Sequence, residues 1–419
     1  MNVLLVNTQD RGGAARACLR LLDGLRMAHV DAKALLLRRN APGSPQLQVL
    51  GKPASKLLRA VNKMRLRSWE RRNRRLLRGR NTGWDIFSFG DAPHEITLHP
   101  CYVNADVINL HWVADYIDYR SFFRNNKKPV VWTLHDMNPF TGGCHYAGSC
   151  TQYHIHCQDC PQLQGAPAPQ FVRQAFQRKA DALVHVDPRS LVIVALSRWM
   201  LGCASSSALL GRFEHRLIPN GLDSTLFRPR SRTICRQMLG LPEDRKIILF
   251  IGDDVGNARK GFNLFHGALS RLHGTGSLLA LVVGSGSREM PAGDEVKYWG
   301  PVADEHLMAM MYSAADVYVC SSIEDNLPNT VMESLMCGTP VAGFAVGGVT
   351  DMVRDGIDGR VSAAVTAEAL ACSISDIITH PEAFSQESIR EGAVNRFSLE
   401  IQAEAYRRLY EELLARQTP

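Results

Sequence analysis

The sequence contains no long apolar run. Stretches such as Leu278 to Val283 stop far short of the roughly 18–20 residues that cross a bilayer, so no membrane-crossing helix is expected. The opening residues Met1 to Asn7 have neither a basic start nor an apolar segment long enough for a secretory signal, so export is not expected. Low-complexity tails are also missing. With 45% hydrophobic and 21% charged residues, the 419-residue chain has enough apolar surface for two cores, more than one ordinary domain would use. Acidic residues are nearly absent from one segment: between Gly51 and Arg80 stand twelve Lys or Arg and one acid, Glu70. That segment carries +11 of a chain whose formal charge is +7, which leaves the remainder mildly acidic. Aromatics are scarce there as well. Only Trp69 could stack on a base, which argues against a nucleic-acid partner.

What is present is an alternation of short Val, Ile and Leu runs with longer helical stretches. Val3–Asn7, Ala32–Leu37, Val107–Val113, Pro129–His135 and Leu191–Ser197 form one series of expected strands. Lys246–Gly252, Leu278–Gly284, Val296–Gly300, Asp316–Cys320 and Thr339–Phe344 form a second. Runs this apolar suit parallel strands covered on both faces, which predicts an α/β chain of two Rossmann-like domains. The turn-rich stretch Asn220–Pro229 separates the series. The expected domains are 1–222, with a basic insertion at 51–80 and a cysteine-rich one at 141–163, and 223–397. A helix follows in 398–419, spaced by Phe397, Ile401, Ala405, Leu409 and Leu413. Ligands are expected beyond the carboxyl ends of the strands.

The stretch Ala315 to Val341 reads as strand, polar loop, helix, glycine stop and strand. Pro328 suits the loop or first helical turn, Glu333 the early helix, and Gly338 the position past the helix end. A loop entering a helix amino terminus favours phosphate or hydroxyl oxygens. Upstream, the run Asp253 to Gly261 follows a strand and carries Arg259-Lys260-Gly261; such a pair of cations could stabilise charge on a departing diphosphate. Near the amino end, Gly12-Gly13 follows the first strand and permits close backbone approach, as it also permits a plain tight turn. His111 and His135 close two strands; a structural role competes with a functional one for both.

These stretches together resemble the retaining GT-B glycosyltransferases of family 4, also called group 1 glycosyltransferases. In that family a loop acid and a helix Glu, with seven residues between them, flank a nucleotide-sugar donor, and Gly-Thr-Pro-Val follows, as it does here at 338–341. Counting back from Glu333 lands on Asp325; Glu324 is one residue early. The resemblance implies two Rossmann-like domains facing across a cleft. It implies that Glu333 binds ribose hydroxyls, that Asp325 or Glu324 meets the donor sugar, and that Lys260 clamps the diphosphate. Arg259 stands in for an Arg the family places nearer the strand, where this chain has Asp253 and Asp254. Asn326, Leu327, Pro328 and Asn329 would line the donor loop, Gly12 and Gly13 the amino-domain loop, and His135 would stand beside the donor sugar. No Asp-x-Asp pattern offers a metal site for the donor, so donor binding is expected to need no divalent ion.

The run from Trp132 to Pro161 further resembles exopolysaccharide transferases of the colanic acid type. That implies a lipid-linked glycan acceptor and a cytoplasmic enzyme on the inner face of the plasma membrane. The basic segment mixes Leu57, Leu58, Val61, Met64, Leu66, Trp69, Leu76 and Leu77 among its cations, so a helix there could turn a partly apolar side to an anionic membrane; a solvated basic face or a site for acceptor phosphates is the alternative. Within the run, Cys144, Cys150, Cys157 and Cys160 are spaced C-x5-C-x6-C-x2-C. Four soft ligands at this spacing suit a structural zinc, with His145, His154 and His156 as substitutes; disulfides or free thiols are the alternative. A GT-B epimerase acting on UDP-sugars would share the architecture.

Overall fold

The computed structural model describes all residues except 41–44, 52–54, 81–82, 165, 167–169, 255, 273–276, 287–295 and 417–419, and the side chains of 253 and 254. Lys52 of the basic segment therefore lies outside the described residues. The chain divides into two compact units, Met1–Pro219 with Gln402–Pro419, and Asn220–Ile401. The division falls at the turn-rich stretch, three residues before the expected 222/223 boundary.

The first unit holds a seven-stranded sheet: β1 (Asn2–Asn7), β2 (Asp31–Leu36), β3 (Leu47–Val49), β4 (Val107–Leu110), β5 (Val130–Leu134), β6 (Leu191–Ala195) and β7 (Glu214–Leu217), in the order β3-β2-β1-β4-β5-β6-β7. Every pairing is parallel. One face packs Leu4, Val6, Ile108, Trp132 and Ile193 with the segments that follow β4 and β5. The other packs Val3, Leu5, Val131 and Val192 against α1 (Gly13–Met27) and against Tyr406, Leu409, Tyr410 and Leu413. These last four come from the helix Leu399–Ala415, whose residues from Gln402 onward belong to the first unit. Its tyrosines also satisfy buried polar groups of the sheet. Asn109 Nδ2 donates to Tyr410 Oη at 2.7 Å, and Thr133 Oγ1 lies 2.9 Å from Tyr406 Oη.

The basic segment folds as α2 (Lys56–Leu76). The second unit holds six parallel strands, β8 (Lys246–Asp254), β9 (Leu278–Ser285), β10 (Val296–Gly300), β11 (Val317–Cys320), β12 (Val341–Phe344) and β13 (Gly359–Ser362), ordered β10-β9-β8-β11-β12-β13. In each unit the first strand lies inside the sheet, so the loops leaving β1 and β8 emerge beside those of β4 and β11 respectively, at a switch in strand order. Among the described residues no helix is long and apolar enough to cross a membrane.

Candidate functional site

In the second unit the loops that follow β8 and β11 are laced together. Asn257 caps the short turn Ala258–Lys260 by accepting the Arg259 backbone N–H at 3.0 Å. Gly261 then turns left-handed at φ 66°, and a Cβ there would stand 1.9 Å from the carbonyl oxygen of Ser321. Only glycine lets the Arg-Lys loop come this close. Two bonds hold the approach: Ser321 Oγ donates to the Lys260 carbonyl at 2.9 Å, and the Ile323 N–H donates to the Arg259 carbonyl at 2.9 Å.

This lacing sets two cations on one carboxylate. Lys260 Nζ lies 2.7 Å from Asp325 Oδ2, and an Arg259 guanidinium nitrogen lies 3.3 Å from the same oxygen. Arg259 also donates to the Glu324 backbone carbonyl at 2.9 Å, and Ser322 Oγ donates to Asp325 at 3.3 Å. Asp325 is buried, and burial alone would raise its carboxyl. Lys260, Arg259 and the Ser322 hydroxyl outweigh that and hold it below its ordinary value. Asp325 thus faces both cations, and the Glu324 backbone carbonyl meets Arg259. The carbonyl of Asp325 is in turn fixed by the Gly348 N–H at 2.9 Å, across Gly347 at φ 52°, where a Cβ would clash at 1.9 Å.

Downstream, Asn326, Leu327 and Pro328 are buried and lead into the helix Asn329–Met336, with Gly338 at φ 71° just past its end. Asn329 Oδ1 accepts from Asn220 Nδ2 at 3.2 Å. Glu333 is 1% exposed and accepts the Tyr312 hydroxyl at 3.0 Å. Burial, then the neighbouring Glu333, push the Tyr312 phenol well up, so it stays a donor.

The first unit carries a separate polar constellation. Gly12 caps α1 at φ 90°, and Gly13 is its first residue. Nothing crowds a Cβ at Gly12, so the backbone angle alone calls for glycine there. His135 Nε2 lies 3.0 Å from Nδ1 of the buried His111, the rings stacked at 5.2 Å. Loss of solvent pushes His135 down to about 4, with Asp136 offsetting only part of that, and pushes His111 well down too, with His135 adding to it. Both imidazoles are neutral at pH 7. Asp136, buried, accepts from Trp112 Nε1 at 2.7 Å, from His145 Nδ1 at 2.6 Å and from the Asn138 N–H at 2.9 Å. Burial opposes its ionisation; His145 and these donors overcome it and keep the carboxyl low.

His145 touches Ser88 Oγ with its other nitrogen at 3.1 Å, so both ring nitrogens are engaged. Cys144 and Cys157 are buried, Cys150 and Cys160 partly so, and all four are free thiols. Among the described residues no three His, Cys, Asp or Glu side chains are placed to hold a metal ion. The Gly142 N–H donates to Cys157 Sγ at 3.3 Å, and burial pushes that thiol up to about 11.

The pairing of Lys260 with Asp325 and the burial of Glu333 follow positions the motif had singled out. The contributions of Ser321, Ser322, Gly347, Gly348 and Tyr312 were not anticipated. Gly347-Gly348, just after β12, was a visible signal; Tyr312 gave none.

Residues 245–380, most of the second unit, match the family described as Glycosyl transferases group 1. Over 320 residues the chain is 26% identical to a D-inositol 3-phosphate glycosyltransferase of Mycolicibacterium smegmatis, covering 73% of this chain and 67% of that one. Other relatives of the same name are matched over half their length or less. Among solved structures, sucrose-phosphate synthase from Thermosynechococcus elongatus superposes with a TM-score of 0.70 at 20% identity, over 99% of this chain and 100% of that one. Anabaena HepE in complex with UDP-glucose superposes at 0.64 and 15% identity, over 98% and 100%. Two parallel sheets of seven and six strands and these matches agree: the chain is a transferase enzyme of the GT-B fold whose residues 245–380 match the group 1 glycosyl transferases.

Proposed function

We propose that the chain moves a sugar, with retention at the anomeric carbon, from a nucleoside diphosphate sugar to a lipid-linked glycan acceptor in exopolysaccharide, capsule or lipopolysaccharide assembly. The observation that carries the donor half is the Arg259–Lys260 pair closing on Asp325. Two cations meet one carboxylate here, and an incoming diphosphate competes with Asp325 for both. As the sugar–phosphate bond breaks, charge gathers on the phosphate oxygens, where Lys260 and Arg259 stabilise it. Asp325, relieved of its cations, is then free to accept a hydroxyl of the donor sugar. Glu333, on the helix that begins at Asn329, accepts the ribose hydroxyls.

Beside the donor sugar, neutral His135 can give or take a hydrogen bond without adding charge. The relative in Mycolicibacterium is named for a phosphate-bearing acceptor, and a lipid-phosphate-linked glycan shares that chemistry. In the proposed step the attacking hydroxyl enters from the face that the diphosphate leaves, and the departing phosphate oxygen takes its proton. No step passes through the four-cysteine loop.

Heat-stability screening of the full chain against nucleotide sugars and their nucleoside diphosphates tests this directly. A true donor product at about 100 times its Kd should add about 2.7 kcal/mol. If no nucleoside diphosphate stabilises the chain, the reading is wrong.

A further inference from the structure

The carboxyl ends of β4 and β5 are joined by two rungs. His111, the first residue past β4, meets His135, the first past β5, through Nδ1 and Nε2 at 3.0 Å. Trp112 and Asp136, the next residues along, meet through the indole N–H at 2.7 Å. The β4 side of this ladder is pinned from β1. The His111 N–H donates to the Val6 carbonyl and the Trp112 N–H to Asn7 Oδ1, both at 2.9 Å, and Thr8 Oγ1 donates to the Trp112 carbonyl at 3.0 Å. On the β5 side, Asp136 is fixed by His145 and the Asn138 N–H. Both backbones are thus held, and the two rings meet in one register.

Two neutral imidazoles in contact place one proton between the facing nitrogens, so the bond can run either way. If His135 Nε2 gave the proton, His111 would carry its own on Nε2, which is buried and has no hydrogen-bond partner. A buried N–H with nothing to donate to is the rarer defect, and an unused acceptor the commoner. His111 therefore gives the proton from Nδ1, its idle Nε2 is bare, and His135 carries its proton on Nδ1. The rings differ in exposure too: His111 is 3% exposed, whereas His135 is only partly buried. The inner ring spends its one donor on the outer ring. Filling space does not call for such a pair. Asn109 and Thr133, polar side chains of the same two strands, find partners in Tyr410 and Tyr406, and an apolar residue at 111 would leave no idle nitrogen.

We infer that His111 is a positioning residue for the transfer: its Nδ1–H holds the His135 ring and fixes it as the tautomer that carries a proton on Nδ1, which makes His135 a hydrogen-bond donor. In the transfer proposed above, that proton is the one His135 offers to a hydroxyl of the donor sugar. Which nitrogen of a histidine is protonated is set by the bond its other nitrogen makes, and here His111 makes it. The part played by His135 rests on the transfer reading; the direction of the bond does not.

Long-range proton–nitrogen correlation spectra of the full chain, labelled with nitrogen-15 histidine and assigned by comparison with His135→Gln, read the tautomer directly. At neutral pH, His135 is expected with its proton on Nδ1. Turnover is the second readout. His111→Leu removes the donor and keeps the bulk, so kcat should fall at least about tenfold, the loss common when the partner that orients a functional imidazole is removed. Donor KM should stay within about twofold, and nucleoside-diphosphate stabilisation should match the parent's. His111→Asn places an amide N–H as many bonds from the backbone as Nδ1, and it should restore kcat to within about threefold of the parent. The inference is overturned by a parent spectrum with the His135 proton on Nε2, by parental kcat in His111→Leu or in His135→Gln, or by an Asn variant no better than the Leu one, which would mark a packing role only. Should His111→Leu fail to fold, the parent spectrum and the Asn variant still decide it. Absence of nucleoside-diphosphate stabilisation in the parent would count against the transfer reading alone.

Discussion

Replacing Lys260 by Ala probes the donor reading most sharply, because the structure gives the change two separable effects. The first is on the resting protein. Removing one member of a buried ion pair costs about 3–5 kcal/mol when nothing else meets the stranded charge. Here Lys260 keeps 26% of its side-chain surface and Arg259 stays 3.3 Å from Asp325, so about 1–2 kcal/mol is expected. The loss should also depend on pH. Asp325 is held below its ordinary value when folded, so its contribution is complete above the ordinary carboxylate range and is lost as pH falls through the folded value. With Lys260 gone that depression shrinks, and acid destabilisation should begin at higher pH than in the parent. The second effect is on chemistry: losing one preorganised donor to the departing diphosphate should cut turnover by about 100-fold or more. Steady-state transfer assays and chemical denaturation at pH 7 and pH 4.5 measure both. Asp325→Asn is the informative companion. It frees both cations, so free nucleoside diphosphate should bind more tightly, by up to about tenfold or 1.4 kcal/mol, while turnover falls. Unchanged turnover in Lys260→Ala, or weaker diphosphate binding in Asp325→Asn, would refute the clamp.

Gly261→Ala should lower stability by at least about 2 kcal/mol and abolish transfer. It combines a left-handed backbone with a Cβ pressed on the Ser321 carbonyl, and denaturation midpoints will show it. Glu333→Gln keeps an oxygen to accept the Tyr312 hydroxyl, so folding should survive while donor KM rises; Tyr312→Phe leaves the buried acid short of a donor and should cost about 1–3 kcal/mol of stability instead. The low value of His135, about 4 against an ordinary 6.5, means the unfolded chain binds more protons between those values. Stability from this site should therefore be complete above about pH 6.5 and fade toward pH 4, and His135→Gln should flatten that slope in urea midpoints measured across the window.

The central strands were legible because each is buried on both faces, and such strands must be written as unbroken apolar runs. Three of the four edge strands, Leu47–Val49, Glu214–Leu217 and Gly359–Ser362, escaped notice for the same reason, while the edge strand Val296–Gly300 was anticipated. Glu214–Leu217 and Gly359–Ser362 are only partly covered and carry charge or hydroxyls, so no apolar run announces them. In the loops after β8 and β11, sequence spacing could single out Asp325 or Glu324 as a candidate but could not choose between them, nor set either against Lys260. That choice depends on which carboxylate the Ser321–Lys260 and Ile323–Arg259 lacing turns inward. The Asp136, Trp112 and His145 cluster joins residues 24 and 9 positions from Asp136, distances at which no periodic pattern speaks.

The return of residues 402–415 to the first unit has a consequence for how the protein is made. Tyr406, Leu409, Tyr410 and Leu413 cover a sheet whose last strand ends at Leu217. On the ribosome, that sheet waits for about 200 further residues, on the order of ten seconds or more at ordinary synthesis rates. During the wait Asn109 and Thr133 lack their tyrosine partners and Val3, Leu5 and Val131 lack part of their cover. The second unit, by contrast, runs unbroken from Asn220 to Ile401 and can close as it emerges. The order of completion during synthesis is thus the reverse of the order in sequence, and the half-covered sheet of the nascent first unit is where a chaperone would find something to hold.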